Sequence, residues 1–385
     1  MDFGLTSEQQ MLVDSIRAFV EAELKPYEEE VERTNKVRPE LIQQIHAAAI
    51  KNGFYAANMP EELGGGGLDH VALTLMEREL GRTSFALQYA VARPSNILRA
   101  CQGEQIERYL LPAIRGERVE CLGLTEPNAG SDLRSMQTRA EADGDDFVIN
   151  GTKHFISYAD VADFIVLFAA SGVEDTAKGA KKKITSFLVD KDTKGLDVRM
   201  GPHSVSHRGF HHCELVFNNC RVNKRQVLGE VHRGFDVANQ WLGATRLTVA
   251  AQCVGRAQRA MEMAAQWAAT RKQFGQTIGK FQGTSFKLAD MATEIEAANL
   301  LCLQTAWKTD QGTATDADYA MAKLFATEML ARVTDHTVQI FGGMGLMEEV
   351  GVERLWRDAR VERIWDGTSE IQRHIISRSV LRPLE

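Results

Sequence analysis

Between Thr6 and about Leu111 the apolar positions fall at helical spacing. Leu12, Val13, Ile16, Phe19 and Val20 recur at intervals of three and four, and Leu41, Ile42 and Ile45 repeat the pattern. Pro26 and Pro60 punctuate these segments, so the chain opens with an α-helical unit. Between about Glu120 and Val227 the period changes to that of strands. Residues 138–142 and 147–149 flank Asp143-Gly144-Asp145-Asp146, a hairpin signal because Asp-Gly tolerates positive φ. The short β-rich runs 164–168, 184–189 and 213–217 suit a compact β-barrel or sandwich. Helical periodicity returns after Gly234 and persists to the end, with breaks near 275–279, at Gly312 and near 342–345. The Ala-, Met- and Leu-rich stretches 250–269 and 319–333 read as bundle helices buried on more than one side. The expected fold is α+β, in three domains: an N-terminal helical domain (1–118), a middle β domain (119–230) and a C-terminal four-helix bundle (231–385). A βαβ alternation is absent, which disfavours a Rossmann unit.

Composition narrows the function classes. In 385 residues, 44% are hydrophobic and 25% charged, which is globular and excludes disorder, collagen and fibre. No apolar run approaches the ~18–20 residues of a membrane span, and the N-terminus has no basic region followed by an apolar one, so a soluble cytoplasmic protein is expected. A net charge of −7 argues against nucleic acid as a partner. The six cysteines lack a CxxC pair and read as reduced structural thiols. His203, His207, His211 and His212 cluster without an acidic or Cys ligand at a recognised spacing, so they read as surface or core-edge residues and no metal is expected. The glycine run 64–67 has no Lys-Ser/Thr after it and no strand before it, and reads as a flexible connector between helices. Lys178, Lys181, Lys182 and Lys183 read as a solvated loop between two strands.

The chemistry-bearing stretch is Leu122-Gly123-Leu124-Thr125-Glu126-Pro127-Asn128-Ala129-Gly130-Ser131-Asp132. Small and hydroxyl residues beside Pro and Gly make a backbone-exposing loop, able to face a phosphate or an electron-rich heterocycle, or equally a plain turn. It resembles the first signature of the acyl-CoA dehydrogenase family, flavoproteins that oxidise acyl-CoA thioesters. Gln339-Ile340-Phe341-Gly342-Gly343-Met344-Gly345, continuing through Glu349 and Arg354 to Asp358, is similar to the second. Arg271-Lys272-Gln273-Phe274-Gly275 with Phe281-Gln282, and Trp365-Asp366-Gly367-Thr368-Ser369-Glu370-Ile371-Gln372-Arg373, resemble two further family segments in the family's order.

The resemblance implies FAD as cofactor, acyl-CoA as substrate, electron-transfer flavoprotein as partner, and a homotetramer of paired dimers. It implies that Leu124 and Thr125 face the flavin and that Ser131 meets an FAD phosphate or the CoA pantetheine. Phe155 and Ser157 match positions usually Trp and Thr that cover the flavin and bond near its N5. Arg271, Phe274, Gln339 and Gly343 would hold the pyrophosphate and adenine from the neighbouring subunit, and Thr368 and Glu370 the adenosine half. Ser131, Arg246 and Gly367 would serve the substrate. Leu87, Gln88, Tyr89 and Arg93 lie in a helix that resembles the one lining the acyl pocket.

The usual base in this motif is Glu followed by Gly-Thr, and this chain has Asp366. A carboxylate with a raised pKa, within reach of the α-proton, can act as the base. Asp366 is shorter than Glu by one methylene, about 1.5 Å of reach, and ~1 Å of misplacement can cost ~100-fold. The family's second base position corresponds to Thr245, before Arg246, and threonine cannot serve. Asp366 is therefore the expected base, with Trp365 supplying an apolar surround. Family members with a changed base include enoyl-CoA reductases and non-redox eliminases. Those activities and a non-catalytic acyl-CoA-binding scaffold are the alternatives to dehydrogenation.

Overall fold

The computed structural model describes residues 4–91, 94–176 and 179–384. Arg93 and Lys178 lie outside the described residues. The N-terminal helices are α1 (Ser7–Phe19), α2 (Glu28–Thr34), α3 (Pro39–Lys51), α4 (His70–Leu80), α5 (Phe85–Val91) and α6 (Leu111–Ile114). Thr6 starts α1 with a capping box: its hydroxyl accepts from Gln9 N while the Gln9 side chain accepts from Thr6 N. Val13, Ile16 and Phe19 then form the buried stripe, as the spacing predicts. Pro26 lies in the short turn Lys25–Tyr27 ahead of α2.

The glycine run between α3 and α4 is a packed turn, not a flexible connector. The amides of Gly65, Gly66, Gly67 and Leu68 donate to the carbonyls of Pro60, Ala56, Met59 and Ala57. A Cβ at Gly65 would overlap the Met59 carbonyl, so glycine is there for close backbone approach.

The middle of the chain forms β1 (Glu120–Gly123), β2 (Arg139–Asp143), β3 (Asp146–Ser157), β4 (Phe164–Thr176), β5 (Gly179–Asp190), β6 (Leu196–Met200), β7 (His212–Asn223) and β8 (Val227–Leu228). They make one eight-stranded sheet in the order β6-β7-β3-β2-β4-β5-β8, with β1 parallel to β4. Asp143 pairs with Asp146 across a turn in which Gly144 has φ 63°, so the Asp-Gly hairpin forms where expected. Along β4 the period of two sorts residues between two cores. Phe164, Val166 and Phe168 pack with the N-terminal helices, whereas Ile165, Leu167 and Ala169 pack with Phe187 and Val189 on the other face. Lys181, Lys182 and Lys183 belong to β5 rather than to a loop, because the β4–β5 ladder runs out to Thr176↔Gly179. Lys181 sits opposite Glu174, and Lys182 Nζ donates to the carbonyl of Met136 at 2.6 Å.

The C-terminal part contains α7 (Gly234–Thr270), the hairpin β9 (Lys272–Gln273) and β10 (Gln276–Thr277), α8 (Gln282–Asp310), α9 (Asp316–Phe341), α10 (Val352–Glu362) and α11 (Ser369–Leu381). Helices α7, α8 and α9 pack together, and α10 and α11 lie along α9. Their core alternates Ala257, Ala260, Ala264, Ala322 and Ala326 with Met291, Met329 and Leu330, so small residues bring the axes close. Helix α4 crosses α7 at closer range still: a Cβ at Gly255 would overlap the Arg78 carbonyl, and one at Gly81 the Gln252 carbonyl. All six cysteines are free and buried. No helix among the described residues is long and apolar enough to cross a membrane.

Candidate active site

Asp366 lies in the turn between α10 and α11. Its φ of 52° and the 90° of Gly367 place two successive residues in the left-handed region. At φ 90° any side chain at Gly367 would be strained, and a Cβ there would also stand 2.7 Å from Gln372 Nε2, so this position favours glycine. Buried donors hold the turn. Lys323 Nζ, from α9, donates to the carbonyls of Trp365 (2.9 Å) and Gly367 (2.8 Å). Gln372 Nε2, from α11, donates to those of Asp366 (3.2 Å) and Gly367 (2.8 Å). Thr368 caps α11 by accepting from Ile371 N, and Glu370 is exposed in its first turn. Burial pushes the Asp366 carboxyl up to about 6; the charges of Lys323 and Arg246 oppose the rise and Glu362 adds to it.

Trp365 has an aromatic surround. Its ring stacks on His207 (centroids 5.1 Å apart, 13° between planes) and meets Phe85 at 4.9 Å, and Phe85 in turn packs against Phe210 at 4.7 Å. Its indole donates to Glu362 Oε2 at 2.7 Å. His207 is no surface or core-edge residue. It is 3% exposed, its amide donates to Asp358 Oδ1 at 2.8 Å, and its Nε2 lies 3.2 Å from Glu362 Oε1. Arg256 completes this buried charge cluster with an ion pair to Glu362 at 2.5 Å. Burial works against the Glu362 carboxylate, but Arg256 and His207 outweigh it and hold the pKa at about 2. Among the other histidines, His211 Nε2 lies 2.7 Å from Asp160 Oδ1, and His203 is exposed. His212 keeps an unpartnered, buried Nδ1, and burial lowers it to about 4.

Arg246 projects from α7, buried, with its Nε unpartnered, and Thr245 precedes it. On α5, Leu87 and Gln88 are buried, neither amide atom of Gln88 has a partner, and Tyr89 stacks on Tyr158 at 4.7 Å.

The loop after β1 is anchored by a buried ion pair. Lys153 Nζ bonds Glu126 Oε1 at 2.8 Å and the Leu124 carbonyl at 3.0 Å, and the amides of Gln137 (2.5 Å) and Thr138 (3.0 Å) donate to Glu126. Burial lowers the Lys153 ammonium to about 8 despite Glu126. His154 N donates to the Thr125 carbonyl at 2.9 Å, which brings Thr125 beside the end of β3. There a bulge turns Phe155 to φ 58° and leaves it 56% exposed, with Ser157 half-buried opposite His212 and Ser131 exposed on the loop.

A third locus lies at the β9–β10 hairpin. A cleft of about 370 Å³ is lined by Phe274, Phe281, Thr284, Lys287 and Gln339, among others. Phe274 is 93% exposed at φ 51°. Arg271 and Gly343 lie outside this lining; Arg271 caps α7, its guanidinium 5.9 Å from the Trp267 ring, and Gly343 has open space around it. Gln339 and Lys323 are 16 residues apart on α9, about 24 Å at 1.5 Å per residue. The structure thus brings Phe274 and Gln339 together and keeps them well away from the Asp366 turn.

The loop after β1 with Phe155 offers exposed backbone and an open aromatic face, and Phe274 with Arg271 offers a second open ring and a planar guanidinium at a separate locus; the chemistry of these groups fits a large, flat, phosphorylated cofactor. Sequence reasoning missed Lys323, Gln372, Glu362, Arg256 and Lys153. A cation in the apolar run Ala-Met-Ala-Lys-Leu-Phe-Ala, and one in the alternating pattern of β3, were the available signals.

Three family models match in the same order: acyl-CoA dehydrogenase N-terminal domain over residues 6–117, middle domain over 121–220 and C-terminal domain over 232–381. The chain belongs to the acyl-CoA dehydrogenase family and is an enzyme of that class. It is 36% identical over 382 residues to 3-(aryl)acrylate reductase of Clostridium sporogenes, covering 98% of this chain and 99% of the relative. It is 36% identical over 383 residues to subunit CarC of the caffeyl-CoA reductase-Etf complex of Acetobacterium woodii, covering 98% and 99%. Butyryl-CoA dehydrogenase from Megasphaera elsdenii has a similar structure, with TM-score 0.89 and 34% identity over 99% of this chain and 100% of that one.

Proposed function

We propose that this enzyme converts an acyl-CoA thioester to its α,β-unsaturated product, with Asp366 removing the α-proton. One observation carries the reading: a half-buried carboxyl in a strained turn whose backbone is held by donors from two helices, with desolvation lifting its pKa to about 6. Such a group is a carboxylate at neutral pH yet binds a proton readily. The cofactor is FAD; when bound, it supplies the acceptor for the hydride that leaves the β-carbon.

Leu124, Thr125, Phe155 and Ser157 present backbone groups, an open aromatic face and a hydroxyl to its ring. Thr368 and Glu370 lie toward its adenosine half. Arg271, Phe274, Gln339 and Gly343 serve the pyrophosphate and adenine of a neighbouring chain, a division supported by the separation of Phe274 and Gln339 from Asp366. Arg246, Ser131 and the Gly367 backbone orient the CoA thioester. Phe85, Trp365 and Phe210 keep water from the proton as it moves to Asp366. The functional unit is then at least a dimer, with a homotetramer the assembly we infer. The divisions at residues 118–119 and 230–231, a cytoplasmic location and electron-transfer flavoprotein as electron acceptor belong to the same proposal.

A second reading, enoyl-CoA reduction, is favoured by the same pKa, since a carboxylic acid that titrates near 6 also donates a proton well. One experiment separates the two. Yellow, FAD-loaded enzyme is mixed without oxygen with short, branched, aromatic and steroid-like acyl-CoAs, and chemically reduced enzyme with the matching enoyl-CoAs. Rapid bleaching by one acyl-CoA is the expected result. Fast reoxidation by an enoyl-CoA with no bleaching by its saturated partner would establish the reductase, and a colourless protein that takes up no FAD would end both readings.

A further inference from the structure

We propose that Lys323 is a positioning residue for the base: one buried ammonium bridges the carbonyls on both sides of Asp366 and so fixes where a short carboxylate can reach. The inference rests on reading Asp366 as the base. Lys323 has no exposed surface and sits on α9 among buried Ala320, Ala322, Ala326 and Thr327. Its bonds to Trp365 O and Gly367 O straddle the reacting residue, and Gln372 holds the Asp366 and Gly367 carbonyls from α11. Three successive carbonyls are therefore held by two side chains from two helices. A left-handed aspartate is strained and persists only where its surroundings over-determine it. An aspartate also has one bond fewer than a glutamate with which to correct a misplaced backbone. The same ammonium faces the carboxyl as a charge. Three charged groups act on Asp366: Lys323 from α9, Glu362 from α10 and Arg246 from α7. Lys323 offsets Glu362 and favours ionisation of this half-buried carboxyl.

The test uses the full-length, FAD-loaded enzyme. Lys323→Met keeps most of the volume and removes both hydrogen bonds and the charge. Its kcat should fall ~100-fold with little change in KM, and the ascending limb of its pH profile should move up by about one pH unit or more. Lys323→Gln can still donate to one carbonyl; it should move the limb the same way with a smaller loss of kcat. Difference infrared spectroscopy reads the protonated Asp366 carboxyl directly, assigned by its absence in Asp366→Asn, and that band should titrate at higher pH in both variants. This readout needs no turnover. A wild-type enzyme without dehydrogenase activity would sink the function while the Lys323–Asp366 coupling could still be measured. Folded, flavin-loaded variants whose kcat, limb and infrared titration match wild type would overturn the proposal. So would the failure of both variants to fold, which would make Lys323 core scaffolding.

Discussion

Desolvation lifts the Asp366 carboxyl from 3.8 when free to about 6 when folded, so the proposed base would tie catalysis to stability at one residue. Between those values the folded state binds more protons than the unfolded state, so stability falls as pH rises from about 4 to about 6. The difference is on the order of 2–3 kcal/mol at neutral pH. Asp366→Asn removes that penalty together with the base. Urea unfolding should find the variant more stable than wild type by about 2 kcal/mol at pH 7.5 and equal to it near pH 4, while turnover falls at least ~1000-fold. A variant less stable at pH 7.5 would show that the carboxylate is well solvated and the proton argument wrong. Asp366 stood out as a candidate because it occupies a motif, whereas nothing in the chain announced its setting. Lys323, Glu362, Arg246 and Gln372 arrive from four helices, and no local pattern in the chain says that they converge.

The elements were legible wherever burial follows a period. The stripe of α1, the Asp-Gly hairpin and the breaks between the C-terminal helices all rest on local rules of spacing and turn chemistry. Reading failed where long-range pairing overrode local composition. Lys181 to Lys183 extend a strand because β4 offers partners such as Glu174, and the glycines at 64–67 are there to let backbones meet. The α4–α7 crossing depends on the same device. A helical Gly→Ala change usually stabilises by up to about 1 kcal/mol, but Gly255→Ala should destabilise by about 2–3 kcal/mol because the new Cβ meets the Arg78 carbonyl. A raised urea midpoint for this variant would refute the close contact.

At the scale of the whole molecule, a long stretch of α9 separates Phe274 and Gln339 from Asp366, and the proposed sharing of the cofactor between paired chains rests on that separation. If Arg271 of one chain serves the site of another, two inactive variants should complement. Asp366→Asn and Arg271→Ala, denatured together and reassembled, should regain activity at about a quarter of the sites under random pairing. Recovery no greater than the sum of the two variants alone would show that each chain builds its own site.

Six sulfurs shut away in three different layers also make the protein its own reporter of opening. Cys101 lies among the N-terminal helices, Cys121, Cys213 and Cys220 in the sheet, and Cys253 and Cys302 in the helical bundle. Burial pushes the thiols of Cys101 and Cys302 to about 12, so neither forms a reactive thiolate while it stays covered. An alkylating or chromogenic disulfide probe should therefore meet almost no sulfur in the resting enzyme, and its rate of reaction would clock local unfolding. Chains keeping a single cysteine in each layer would show which part gives way first, and whether adding FAD slows the clock in the bundle alone or throughout the protein.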